Sequence, residues 1–156
     1  MNLLEAENAI KTRLEAQIKA TATTDFDAPI VDSFPKDPVQ HFENINPQGE
    51  ILVIFAGAVP TIPEPNREGV VVQDVAIDWV VSVVMPNLTS HTGIYNWIEK
   101  VKDALTGWHI GDDTDAGTEW DNSGPMYCTN IQFIEEQGGI WYYEMTFQHI
   151  LEESET

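Results

Sequence analysis

The stretch GDDTDAGTEWDN, residues 111–122, sets five carboxylates into twelve residues. Oxygen ligands at this density suit a hard cation such as Ca²⁺. An EF-hand loop needs Asp or Asn at its first, third and fifth places, Gly at the sixth and a bidentate Glu at the twelfth. With Asp113 first and Asp115 third, Gly117 falls fifth, Thr118 sixth and Gly124 twelfth. The register fails at three informative positions. Two readings stay open: a looser cation site from Asp112, Asp113, Asp115 and Glu119, or carboxylates solvated in a loop, the usual fate of a charge cluster.

The remaining candidates for chemistry are isolated. His41, His91, His109 and His149 lie far apart and none has a partner at helical ligand spacing, so each reads as an ordinary surface or boundary histidine. Cys128 stands mid-strand, where a small buried hydrophobe is the default, and the sequence indicates no base beside it. Glu135 and Glu136 are adjacent on a strand and therefore point to opposite faces, unable to share one site. Asp25 and Asp27 belong to a linker in which Asp supplies turn chemistry. There is no G-x-S-x-G elbow, Walker loop, G-x-G-x-x-G or H-E-x-x-H. No catalytic, cofactor-binding or metal-ligating residue is assigned, and no cofactor is implied.

Charge is the feature that constrains partners most. Seven Lys and Arg against 26 Asp and Glu give a formal net charge of −19, a field that repels phosphate backbones and anionic membranes. Such a surface serves solubility, docks on a basic partner, or lines a passage that a polyanion crosses without sticking. No apolar run approaches the roughly 20 residues that span a bilayer, and the N-terminus carries no export signal. Asn87-Leu88-Thr89 matches a glycosylation acceptor only by chance without a secretory route. One cysteine excludes an intrachain disulfide and a C-x-x-C zinc pair, which suits synthesis in a reducing cytoplasm.

The elements that must position these residues follow from periodicity. Leu3, Ala6, Ile10, Leu14 and Ile18 form one apolar stripe, predicting a helix from Asn2 to about Thr21. A short strand is expected at Ile30–Phe34, then a rigid connector or sheet edge at SFPKDP, where Pro35 and Pro38 remove backbone donors. The apolar run ILVIFAG, residues 51–57, reads as a strand covered on both faces. A proline-rich loop at 58–69 leads to a long strand, Val70–Met85, with Val71, Val75, Ile77, Trp79, Val81, Val83 and Met85 on one face and Asp74, Asp78 and Ser82 on the other. Ile94, Trp97, Ile98, Val101 and Leu105 predict a second helix over 92–106, capped by Ser90 or Thr92 and left through Gly107. Finally MYCTNIQFIEE and IWYYEMTFQHIL flank Gln137-Gly138-Gly139 as an antiparallel hairpin, with Trp141, Tyr143, Met145 and Phe147 inward and EESET a frayed tail. The expected fold class is α+β: a largely antiparallel sheet with two helices packed on one face, in a single domain over 1–156.

Several of these stretches in combination resemble the tail-terminator family of Mu-like contractile-tailed bacteriophages and prophages: the N-terminal helix, SFPKDP at 33–38, ILVIFAG at 51–57, ALTGW at 104–108 and EEQGGIWYYEMTF at 135–147. In order and spacing they cover most of the chain, although each alone is structural punctuation. The resemblance implies a non-enzymatic virion structural protein of the tail, made in the host cytoplasm. Such a subunit forms a homo-hexameric ring on the tail tube, ends tube and sheath polymerisation, and meets the tube, sheath and neck or connector proteins. DNA would pass through its lumen without specific binding. The acidic segment 111–122 is longer and more acidic than this family's pattern. Two other classes compete: a small acidic inhibitor that mimics DNA and fills the groove of a basic protein, and a metal-dependent enzyme using the acidic loop.

Overall fold

The computed structural model describes residues 1–21, 28–61, 71–86, 92–113 and 116–155. Asp25, Asp27, the glycosylation-like triplet, Ser90, His91, Asp115 and most of the proline-rich loop lie outside them. The elements in chain order are α1 (Leu3–Thr21), β1 (Ile30–Ser33), α2 (Pro38–Glu43), β2 (Glu50–Pro60), β3 (Val71–Met85), α3 (Thr92–Leu105), β4 (Tyr127–Gln137) and β5 (Ile140–Glu155), with short 3₁₀ turns at Ile110–Asp112 and Thr118–Trp120.

The strands form one sheet in the order β1-β2-β3-β5-β4. β1 runs parallel to β2, and the other pairings are antiparallel. β3 and β5 form the spine, paired from Val71 with Glu155 to Met85 with Trp141, a ladder on the order of 50 Å long at about 3.4 Å per residue. The turn that joins β4 to β5 follows sequence chemistry. Gly138 and Gly139 both have positive φ, 61° and 83°, as a two-residue hairpin turn that matches strand twist demands.

α1 and α3 lie on one face and build the main core. α1 contributes Ala6, Ala9, Ile10, Leu14 and Ile18, and α3 contributes Ile94, Ile98, Val101, Ala104 and Leu105. Against them stand Val75, Ile77, Trp79, Val81, Val83 and Met85 of β3 with Met145, Phe147 and Leu151 of β5. The inward sets read from alternation on β3 and from helical spacing thus meet in one layer.

Four expectations are corrected. SFPKDP is more than a connector: Asp37 accepts a hydrogen bond from the Gln40 amide at 3.2 Å and Pro38 opens a third helix, α2, because an Asp cap followed by Pro at the first helical position satisfies orphan amides and presets φ. That helix packs on the opposite face, where Leu52, Val84 and Tyr142 are buried with Phe34, Phe42, Ile45, Ile134 and Ile140 around them. Ser82, on the β3 face expected to be either wet or at an interface, is instead buried within the chain and lies 3.2 Å from the Tyr142 hydroxyl. The tail is not frayed: Glu152–Glu155 continue β5 against Val71–Asp74, since backbone pairing holds them regardless of side-chain polarity.

Candidate assembly surfaces

The acidic segment is the first candidate that the fold reinterprets. Ile110, Ala116 and Trp120 are fully buried and join the main core. The Trp120 indole N–H donates to the Asn2 carbonyl at 3.2 Å, tying the loop to the start of α1. Gly111 makes this closeness possible: a Cβ there would lie 2.5 Å from the Trp120 carbonyl oxygen. The segment closes one end of the core while Asp112, Glu119 and Asp121 point into solvent. Glu119 lies 3.3 Å from the Met1 amino group. Among the described residues no three His, Cys, Asp or Glu side chains converge as a metal site.

The histidines separate into different environments. His149, read as a surface or boundary residue, is fully buried. Its Nε2 accepts from the Trp79 indole at 3.0 Å, its ring lies 5.9 Å from that of Trp120, and Nδ1 has no partner among the described residues. Accepting at Nε2 fixes the neutral tautomer with its proton on Nδ1. Burial lowers this imidazole from the ordinary 6.5 to about 4. His41 of α2 pairs with the buried carboxylate of Glu50 at the start of β2. His109 Nδ1 sits 3.1 Å from the Ser123 carbonyl. Cys128 is half-buried near the start of β4 rather than mid-strand, with its thiol pushed up by burial. The structure brings none of these side chains together as a nucleophile and base. Glu135 and Glu136 do part to opposite faces, opposite Tyr142 and Trp141 respectively.

Three surface features of the described residues stand out instead. The first is the β4 edge. Bulges at Cys128–Asn130 and Phe133–Glu135 interrupt its ladder with β5, and Ile131 and Phe133 remain 42% and 49% exposed. Phe133 packs 5.4 Å from Tyr143 and 6.1 Å from Trp141, and Tyr95 of α3, 45% exposed, lies 6.5 Å from Tyr143. These rings form an aromatic ledge beside α3, on the α1–α3 face of the sheet at its β4 edge.

The second surface is the sheet face opposite α1 and α3. Across it runs a polar row from β4 through β5 to β3: Tyr127 donates to Gln148 at 2.5 Å, and Gln148 donates to Asp78 at 2.9 Å. Pairing places Asp32, Asp74, Asp78, Glu135, Glu144 and Glu152 on this face. Among the described cations, Lys11, Arg13 and Lys19 are on α1, Lys100 and Lys102 on α3, and Lys36 precedes α2. The strands that form this face carry carboxylates and no Lys or Arg.

The third is a groove of about 540 Å³ at the end of that face, between α2 and the β4–β5 hairpin. Phe34, Val39, Phe42, Ile140 and Tyr142 supply its apolar lining, with Glu43 and Glu135 at its rim. The Tyr142 hydroxyl donates to Glu144 at 2.6 Å. Burial first and then that carboxylate raise it to about 12, so it stays a protonated donor.

The family described as Gp37 protein matches residues 25–151. The chain belongs to this family. Its fold is that of a chain from the solved structure titled "Virion of native gene transfer agent (GTA) particle", with a TM-score of 0.54, 14% identity, and coverage of 92% of this chain and 94% of that one. No curated protein matches. Among the described residues of this Gp37-family chain, no helix is long and apolar enough to cross a membrane. The five strands and three helices thus repeat, over nearly the whole chain, the fold of a virion component.

Proposed function

We propose that this Gp37-family protein is a non-enzymatic structural component of a virion, acting as a tail terminator. Copies close into a hexameric ring on the tail tube, stop tube and sheath polymerisation, and present a surface to the neck. The observation that carries this reading is the β4 edge with its aromatic ledge. An edge strand leaves a row of backbone donors and acceptors without ladder partners, and folded proteins usually blunt such edges or cover them. Here the edge carries outward Ile131 and Phe133 on a chain of formal charge −19. Cyclic assemblies need a heterologous contact in which two different patches of one subunit meet across each interface, and an apolar edge supplies one such patch. DNA crossing the ring would be kept off its wall by carboxylates, with Asp112, Glu119 and Asp121 facing the lumen or the neck.

Mass measurement of the protein alone and with tube protein tests this. The expected result is a hexamer, either free or formed on tube ends, that Phe133→Ser reduces to a folded monomer. A monomer in both conditions would sink the ring. A second reading is favoured by the sheet face whose charged strand residues are all carboxylates: a DNA-mimicking inhibitor of a basic protein. It predicts a stable monomer and a 1:1 complex, and Phe133→Ser should leave both intact.

A further inference from the structure

We infer that the groove between α2 and the β4–β5 hairpin is a docking site for an apolar segment bearing Lys or Arg, presented by a protein partner. The inference does not depend on ring formation. The groove is apolar at its base and negative at its rim. Val39 of α2 lines the groove and is 72% exposed, whereas Phe42 anchors the helix on the apolar cluster. The ring of Phe42 stands 6.3 Å from that of Phe34 and 5.7 Å from that of Tyr142, so the walls are braced by aromatic contacts without any added ligand. Around this lining stand Glu43 and Glu135, with Glu144 held at the Tyr142 hydroxyl. Among the described residues no Lys or Arg lines it.

Charge complementarity selects the occupant. A purely apolar segment would leave rim carboxylates partly desolvated without partners, a cost that burial of its side chains must offset. An acidic segment would meet like charge within a low-dielectric recess. A segment that buries Leu- or Phe-like side chains on Val39, Phe42 and Tyr142 while setting Lys or Arg against Glu43 and Glu135 satisfies both parts of the surface. Amphipathic helices use this arrangement when they lie in grooves. A second copy of this chain is a poorer occupant, because at −19 two copies repel and their cations are few and mostly placed on α1 and α3.

Calorimetry on the full chain tests the inference with two synthetic peptides of about 12 residues, roughly three helical turns. One carries Leu on one face and Lys on the other, and its counterpart has every Lys replaced by Glu. The Lys peptide should bind and the Glu peptide should not. The double variant Glu43→Lys, Glu135→Lys should weaken the Lys peptide by at least about tenfold. The control Glu152→Lys, Glu153→Lys makes the same formal change at the far end of the sheet and should alter binding by less than about twofold, the range of exposed charges. Val39→Ser tests the apolar part and should weaken binding while leaving the fold intact. Equal weakening by both double variants would reduce the effect to general acidity and overturn the inference. So would unaltered binding by Val39→Ser. Self-association of the wild type that Glu43→Lys, Glu135→Lys abolishes would overturn it in favour of a second copy.

Discussion

The two faces of this sheet are built from the same strands and closed in different ways. On one face α1, α3 and the acidic segment cover a continuous core from Ala6 to Leu151, with Trp79, Trp120 and Phe147 fully buried. On the other, a six-residue helix covers one end only, leaving a small cluster around Leu52, Val84 and Tyr142, a groove, and a field of carboxylates. Folding free energy is concentrated on the first face because apolar area removed from water is concentrated there. The second face is only partly closed as a core and leaves apolar groove residues beside carboxylates.

Substitutions should divide along that line. Trp120→Ala removes the largest side chain of the loop that closes the first face, and should destabilise by about 3–5 kcal/mol through lost burial and a residual cavity. Urea denaturation measures this. A loss below about 1 kcal/mol would mean that the acidic segment is peripheral after all.

Acid should act on the first face next. The His149 imidazole titrates near 6.5 unfolded and about 4 folded, so the unfolded state binds the extra proton between those values. Its contribution is complete above about pH 6.5, falls by up to about 1.4 kcal/mol per unit as pH drops towards 4, and is flat below. The test compares the pH slope of stability of the wild type with that of His149→Gln, which cannot titrate. Parallel slopes would refute the assignment.

On the second face, Phe42→Ala should cost only about 1–2 kcal/mol, because the ring is half-buried against a small cluster. A cost matching that of Trp120→Ala would erase the contrast between faces. The smallest effect is expected from Val39→Ser, which should change stability by less than about 0.5 kcal/mol because the side chain is mostly in water. Thermal unfolding is sufficient to check it.

Much of the fold was legible in local pattern. The stripes of α1 and α3, the inward set of β3 and the glycine hairpin are periodic or turn signals, each set by residues close in sequence. α2 was also present in local chemistry, since Asp37-Pro38 followed by Val39 and Phe42 is a cap and a short amphipathic turn. It was overshadowed by the prolines around it. The exposed apolar edge and the groove were not legible. Ile131 and Phe133 alternate on β4 as Met145 and Phe147 do on β5, yet the first pair is exposed and the second buried.

By itself, then, the sequence determined most of the helices and strands, which side of β3 faces inward, and that the surface would be strongly acidic. Period, turn residues and charge are all properties of the chain at short range. Tertiary structure decided the rest. Strand order put β5 in the interior and β4 at the edge, turning one alternation into core and the other into a ledge. It also carried Trp120 and His149 into contact from well-separated positions in the chain. A lone tryptophan among carboxylates and a histidine within a polar-apolar alternation have no periodic signature, because their burial depends on neighbours brought there by pairing across long sequence separations.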